Sequence, residues 1–134
     1  DAALARVQHA RLLEVGWMRG DSVVLAAVGS KDPRALADVA TAAALLSAQL
    51  DTPVRHGFAV AAEPTIVQVV AQLRADGVRR VIISPYLLAP GQFHVALADV
   101  GADAVAAALG VHPLLVDLVG RRYREVGGAV AAGA

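Results

Sequence analysis

The sequence at residues 23–33, VVLAAVGSKDP, decides the fold of this chain. Its first six residues are all apolar, which is typical of a β-strand that is covered on both faces in a parallel sheet. Gly29 and Ser30 then interrupt the apolar run. Asp32 suits the N-cap of a helix and Pro33 suits its first position. The stretch therefore predicts a strand that leads directly into a helix ending near Leu50.

The same order of strand and helix recurs along the rest of the chain. Strands are predicted at 53–60, 80–84 and 103–109, and helices from 65 to 76, from about 93 to 100 and over 114–126. The alternation predicts an α/β fold with a four-stranded parallel sheet in the order 2-1-3-4 and helices on both faces. We expect three segments: an N-terminal helix or linker at 1–20, the α/β domain at 21–126 and a disordered tail at 127–134.

Length, charge and cysteine content exclude several classes of protein. The 134 residues suit one domain, and 12 basic side chains balance 12 acidic ones, which argues against a general nucleic-acid binder. Because cysteine is absent, disulfides, thiolate zinc sites and iron–sulfur clusters are excluded. No apolar run approaches the roughly 18 residues of a membrane span, and no signal peptide is visible, so we expect a cytoplasmic protein without membrane contact.

Three loops are expected to meet where ligands bind in such folds. In open α/β sheets that place is the carboxyl edge of the sheet, at the switch point between strands 1 and 3. The loops are residues 29–32, 61–64 and 85–94. The first could bind an anion through Ser30, Lys31 and the following helix N-terminus, or could be a tight turn capped by Asp32.

Glu63 and His94 are the candidate chemical groups of the other two loops. Glu63 could bind a metal or accept a proton, or it could cap the helix that follows. His94 could likewise bind a metal or accept a proton, or it could have only a structural role. The other histidines are expected to be solvated (His9), half-buried beside Phe58 (His56) and helix-capping (His112).

Four motifs together resemble the sirohydrochlorin chelatase family, the class II cobalt- and ferrochelatases of cobalamin and sirohaem synthesis. They are GSKDP at 29–33, AEP at 62–64, PYLLAPG at 85–91 and LGVHP at 109–113, and the resemblance covers residues 22 to about 126. It implies a flavodoxin-like, chelatase-like half-domain. The implied activity is that of a lyase that inserts Co²⁺ or Fe²⁺ into sirohydrochlorin, with no cofactor beyond this divalent metal substrate.

The resemblance also implies roles for individual residues. Glu63 matches the family's glutamate, and His94 matches its second histidine, one place later than in the commonest form of the motif. Both would bind the metal and help to remove the pyrrole protons. Ser30, Lys31 and Gly91 would contact the tetrapyrrole, which carries eight carboxylates.

One position departs from the family pattern. Family members usually read His-Gly-Ser where this chain has Val28 before Gly29, and valine cannot bind a metal. The chain therefore looks like the C-terminal half of a two-half member. The implied partner is a second chelatase-like half, either in a homodimer or as an N-terminal domain. The alternatives are a degenerate scaffold or dimerisation domain without chelatase activity, and an unrelated flavodoxin-like small-molecule binder.

Overall fold

The computed structural model describes residues 2–86, 97 and 100–107. Its elements are, in chain order, α1 (Ala2–Glu14), β1 (Ser22–Ala27), α2 (Pro33–Leu50), β2 (Val54–Phe58), α3 (Ile66–Ala75), β3 (Val81–Pro85) and β4 (Ala104–Val105). All strand pairs are parallel, and the strand order is β2-β1-β3-β4. The predicted fold class and strand order are therefore confirmed.

Several predicted segments lie outside the described residues. They are most of the loop at 85–94 and the helix after it, the last helix at 114–126 and the tail at 127–134. The boundaries predicted at residues 20 and 126 also stay predictions. In the part of the chain that is described, no helix is both long and apolar enough to cross a bilayer.

Helix α2 begins and ends at the residues that the sequence predicts. Asp32 has an extended backbone, and its carboxylate accepts a hydrogen bond of 2.9 Å from the Arg34 amide. Pro33 follows at the first helical position, where a missing N–H costs nothing. Asp51 ends the helix in the left-handed region, with φ of 52°. Local chemistry at both ends thus sets the length of this helix.

The sheet is covered on both faces, as predicted. One apolar cluster joins α1 and α2 to one face, and it includes Leu12, Trp17, Leu25, Leu46 and Ile82. The other cluster joins α3 to the opposite face, and it includes Val24, Ile66, Val69, Ile83 and Leu97. Alternate residues of β1 contribute to the two clusters because successive side chains of a strand point to opposite faces. The carboxyl edge of the sheet lies between these two helical layers.

Helix α1 ends at Glu14, two residues before Gly16, a glycine that is typical of a helix end. Gly16 has a φ of 84°, its amide donates to the Leu13 carbonyl at 3.0 Å, and the Trp17 amide donates to the Leu12 carbonyl at 3.0 Å. These two bonds close the helix end around a left-handed glycine. Trp17 then packs in the core beside α2, whereas the Met18 side chain is 65% exposed.

The expectation that His9 is solvated is wrong. Its ring lies edge-on to Trp17, with the ring centroids 5.6 Å apart, and its Nδ1 is 3.0 Å from Nε2 of Gln49 on α2. His9 thus joins α1 to α2. His56 behaves as expected, because it is half-buried and contacts Phe58 edge-to-face at 5.6 Å.

The short strand β4 is attached to β3 through Asp103. The Asp103 carboxylate accepts hydrogen bonds from the Val81 amide at 2.7 Å and from Arg74 at 2.9 Å. Arg74 also donates to the carbonyls of Arg79 and Gly101. These contacts lower the pKa of Asp103 below its ordinary value, first through the Val81 amide and then through Arg74. Of the strand predicted at 103–109, residues 103–107 are described, and among them Ala104–Val105 form β4; the polar cluster around Asp103 holds β4 beside β3.

We expect Asp103→Asn to lower the free energy of unfolding by about 1 kcal/mol at pH 7, a small value because the carboxylate is partly exposed. The lowered pKa means that the contribution of Asp103 is complete above its ordinary pKa of 3.8. It is lost as the pH falls through the lower, folded-state pKa. The difference between the two proteins in urea denaturation should therefore be smaller at an acid pH, below the ordinary pKa of 3.8, than at pH 7.

Asp51→Asn is the matched control for this experiment. Asp51 also faces an arginine, Arg19, but at 3.4 Å and with both side chains largely exposed. Its replacement should change the unfolding free energy by less than about 0.5 kcal/mol at either pH. An equal effect of the two substitutions would show that Asp103 contributes only a surface charge.

Candidate active site

Strands β1 and β2 continue to pair past their last regular residues. The Ala59 amide donates to the Ala27 carbonyl and the Val60 amide to the Val28 carbonyl, both at 2.9 Å. Gly29 lies against this extension with φ of 112°, and a Cβ there would be 1.7 Å from the Val60 carbonyl oxygen. The contact permits only glycine, and it holds the first two of the three predicted loops together.

The loop before α2 is a capped turn. The Ser30 hydroxyl accepts a hydrogen bond from the Asp32 amide at 3.0 Å, and the Asp32 carboxylate accepts from Arg34. Of the two alternatives for this loop, the structure shows the turn with its cap. Lys31 is exposed beside it. Anion binding by Ser30 and Lys31 stays a prediction, because the cap already contacts the helix N-terminus.

The loop before α3 carries Glu63 on its surface. The Phe58 amide donates to the Pro64 carbonyl at 2.9 Å, which closes the loop, and the Glu63–Pro64 peptide bond is cis. Glu63 is exposed, and its carboxylate has no ion pair among the described residues. This leaves the carboxylate available at the carboxyl edge of the sheet.

The cap of α3 is Thr65 and not Glu63. The Thr65 hydroxyl accepts from the Gln68 amide at 3.1 Å, and the Gln68 side chain accepts from the Thr65 amide at 2.8 Å. This reciprocal capping box satisfies the helix start without Glu63. The alternative in which Glu63 caps the helix is therefore wrong, because Thr65 occupies the cap position.

A cavity of about 480 Å³ opens beside the end of β1, along the N-terminal half of α2. Its apolar lining includes Leu4, Leu36, Val39 and Phe58, and its polar lining includes Ser30, Asp38, Thr41 and Tyr86. Among these, the sequence analysis named Ser30 as a binding residue and included Tyr86 only within the loop at 85–94. For the residues on α2, the available signal was their helical spacing, because positions 35, 38, 39 and 42 share one face of that helix.

The two remaining candidates, His94 and Gly91, lie outside the described residues. Their predicted proximity to Glu63, like the metal site, therefore stays a prediction. Among residues 2–86, 97 and 100–107, no three histidine, aspartate or glutamate side chains converge to hold a metal ion. The structure thus brings together Ser30, Lys31 and Glu63 at one edge of the sheet.

The family follows from a comparison with known sequences. The model of the CbiX family matches residues 22–126, which is most of the chain. The chain belongs to the CbiX family. The predicted resemblance to the sirohydrochlorin chelatases is therefore confirmed. No curated protein matches this chain at a significant level.

Solved structures agree with the CbiX assignment. SirB from Bacillus subtilis with Fe³⁺ has a TM-score of 0.78 and 26% identity, over 93% of this chain and 54% of SirB. The chain thus spans about half the length of SirB. A protein from Marinobacter aquaeolei VT8, described as a cobalamin (vitamin B12) biosynthesis CbiX protein, has a TM-score of 0.62. Its identity is 21%, over 82% of this chain and 99% of that chain, which shows a shared fold.

Proposed function

We propose that this chain is a chelatase-type domain that inserts a divalent metal, Co²⁺ or Fe²⁺, into sirohydrochlorin. The observation that carries the proposal is Glu63, an exposed carboxylate in the family's AEP motif at the carboxyl edge of the sheet. The Fe³⁺ in the structure of SirB, which is 26% identical, supports a metal ion as one of the two substrates.

Metal insertion requires two pyrrole N–H protons to leave as the ion enters the macrocycle. In the proposal, Glu63 accepts a proton and contacts the metal through its carboxylate oxygens. His94 supplies an imidazole nitrogen for the same two tasks. Imidazole and carboxylate suit Co²⁺ and Fe²⁺, and equally Zn²⁺ and Ni²⁺, so the metal must be identified by assay. No cofactor beyond the metal substrate is proposed.

Macrocycle binding is assigned to the loops that flank Glu63. Ser30, Lys31 and Gly91 would contact the tetrapyrrole from the first and third loops. Lys31 is exposed and has no ion pair in the described part of the chain, so its ammonium group is available to a peripheral carboxylate. Because Asp32 caps α2, we assign carboxylate binding to the Lys31 side chain rather than to the helix N-terminus.

A second chelatase-like half is part of the proposal. The chain covers 54% of SirB, which leaves room in that protein for another unit of similar size. Val28, 47% exposed at the end of β1, cannot bind a metal. We propose that the second half, as a homodimer partner or an N-terminal domain, forms the opposite wall of the cleft. An N-terminal domain could supply the missing histidine, whereas a homodimer partner, which also carries Val28, would bring only a second Glu63 and His94.

The second candidate function is a scaffold or dimerisation domain without chelatase activity. Val28 favours it, because the valine removes a metal ligand at the position where the family usually carries histidine. The two functions differ in what His94 does. In a scaffold, His94 contributes nothing to metal insertion, whereas in a chelatase its removal abolishes the reaction.

Anaerobic insertion of Co²⁺ into sirohydrochlorin, followed by the change in visible spectrum, tests the proposal. We expect the native chain to exceed the spontaneous rate and His94→Ala to return close to it. His9→Ala is the control, since His9 lies on α1 between Trp17 and Gln49. Insertion that appears only in Val28→His would establish the scaffold function, and no insertion by any variant would contradict the chelatase proposal.

A further inference from the structure

One side of helix α1 is buried without belonging to either of the two described cores. Val7 is 0% exposed, and Arg11, one turn later, has a side chain that is only 19% exposed, although arginine is rarely buried. Neither apolar cluster of the described residues includes Val7. Because His9 contacts α2 and lies two positions from Val7, Val7 faces away from α2, about 200° around the helix. We call Ala3, Val7 and Arg11 the outer flank of α1.

The atoms that cover the outer flank belong to this chain, because Val7 is buried within a single chain. Helices α1 and α2 share one face of the sheet, where α2 packs on β1 and β2 and α1 packs on β3. Helix α3 and Leu97 pack on the opposite face. Strand β4 is the neighbour of β3 on the side away from β1. The outer flank therefore lies towards β4, where no other described helix packs.

The chain reaches the outer flank after β4. Ala106 follows β4 and is fully buried in the cluster on the α1 face of the sheet. Residues 108–134 continue from this point. Residues 87–99 instead connect β3 to β4 by way of Leu97, which packs on the α3 face. Residues 108–134 are therefore the part of the chain that can cover Val7.

The sequence after β4 predicts a helix of suitable length and patterning. The predicted helix at 114–126 has as many residues as the 13 of α1, so each would be about 20 Å long. Its apolar residues recur at helical spacing on one side: Leu115, Leu118, Val119 and Val126. The other side carries charged residues: Asp117, Arg121, Arg124 and Glu125. An amphipathic helix of this kind needs an apolar surface against which to bury one side.

The topology also predicts the direction of this helix. Strand β4 is parallel to β3, so the chain leaves β4 at the carboxyl edge of the sheet. Leu4, in the first turn of α1, lines the cavity at the same edge. Both helices would therefore start at the carboxyl edge and run side by side in the same direction. Residues 118 and 119, in the second turn of the predicted helix, would then lie level with Val7, in the second turn of α1.

We infer that the outer flank of α1 is the docking surface for the helix predicted at 114–126 of the same chain. A valine, bordered by an alanine and by the aliphatic stem of an arginine, suits the leucine and valine side of that helix. The inference goes beyond the proposed function and is independent of metal insertion. It gives a role to α1, which precedes the residues 22–126 matched by the CbiX family: α1 holds the C-terminal segment against the domain.

Disulfide cross-linking tests the inference directly, because the native chain contains no cysteine. Val7→Cys is combined with one of four substitutions in the predicted helix: Leu118→Cys, Val119→Cys, Asp117→Cys or Arg121→Cys. After mild oxidation, the disulfides are quantified by mass spectrometry of proteolytic fragments. We expect Val7→Cys to form at least about tenfold more intrachain disulfide with position 118 or 119 than with position 117 or 121, because a disulfide needs Cα atoms within about 7 Å of each other.

Arg6→Cys is the matched control, because Arg6 adjoins Val7 but lies on an exposed side of α1. Paired with the same four positions, it should form less than about a tenth of the disulfide that Val7→Cys forms with position 118 or 119. Equal yields on both sides of the predicted helix, or no disulfide with Val7→Cys, would overturn the inference. Disulfides that join two chains, detected as dimers on a non-reducing gel, would place the helix on a second copy and would also overturn it.

Discussion

Gly29→Ala is expected to lower the free energy of unfolding by about 3–5 kcal/mol, a large share of a typical domain's stability. A Cβ at this position would lie 1.7 Å from the Val60 carbonyl oxygen, and a backbone atom cannot move aside as a flexible side chain can. The φ of 112° adds strain for any residue with a side chain. The melting temperature should fall by roughly 10–20 °C.

Gly20→Ala separates the effect of backbone strain from the effect of the steric clash. Gly20 has a φ of 101°, but no heavy atom lies within 4 Å of a Cβ built there. This variant therefore carries the backbone strain without the clash, and about 1 kcal/mol of destabilisation is expected. If both variants unfold at the same urea concentration, the close approach of β1 to the Val60 loop contributes nothing to stability.

Glu63→Gln is expected to slow Co²⁺ insertion by about 100-fold, which is the lower range for loss of a positioned acid–base group. Glutamine keeps the size of the side chain but can neither accept a pyrrole proton nor bind the metal as an anion. Because Thr65 and Gln68 cap α3 without Glu63, the melting temperature should stay within about 2 °C. The rate of Co²⁺ insertion is compared with that of the native chain. If only Val28→His is active, Glu63→Gln is made in that variant and compared with it.

Glu14→Gln serves as the control for this substitution. Glu14 pairs with Arg11 at 2.7 Å near the end of α1 and is about half exposed, far from the carboxyl edge. The Glu14→Gln variant should insert Co²⁺ at the native rate. Unchanged activity in Glu63→Gln would show that the AEP carboxylate takes no part in metal insertion. His94 would then be the remaining candidate for the acid–base group.

Much of the fold could be predicted because its signals are local. Six consecutive apolar residues predicted β1, and the Asp32-Pro33 pair predicted the start of α2 at the position where the structure has it. The strand order followed from the right-handed connections of parallel strands. The family motifs selected Glu63, and the structure places it at the carboxyl edge as the topology requires.

Other features depend on contacts between distant parts of the chain. His9 resembles a solvated helical residue in the sequence, but it packs on Trp17 and reaches Gln49, 40 positions away. After helix α1, Trp17 and not Met18 enters the core beside α2, and the Met18 side chain is 65% exposed. Apolar spacing alone cannot rank these two side chains, since both are large and hydrophobic.

Local features of the amino-acid sequence predicted the α/β class, the parallel strand order, the bounds of α2 and the family. These depend on hydrophobic runs, helix caps and motifs, which act over a few residues. The capping box of Thr65 and Gln68 is likewise a local T-x-x-Q pattern, and it leaves Glu63 without a capping role. Contacts between distant residues, in contrast, were needed to show that Gly29 must approach Val60 and that the Val28 and Val60 side chains are exposed where β1 and β2 end. The physical reason is that pairing between β1 and β2 joins residues about 30 positions apart, and no local pattern records where two loops meet.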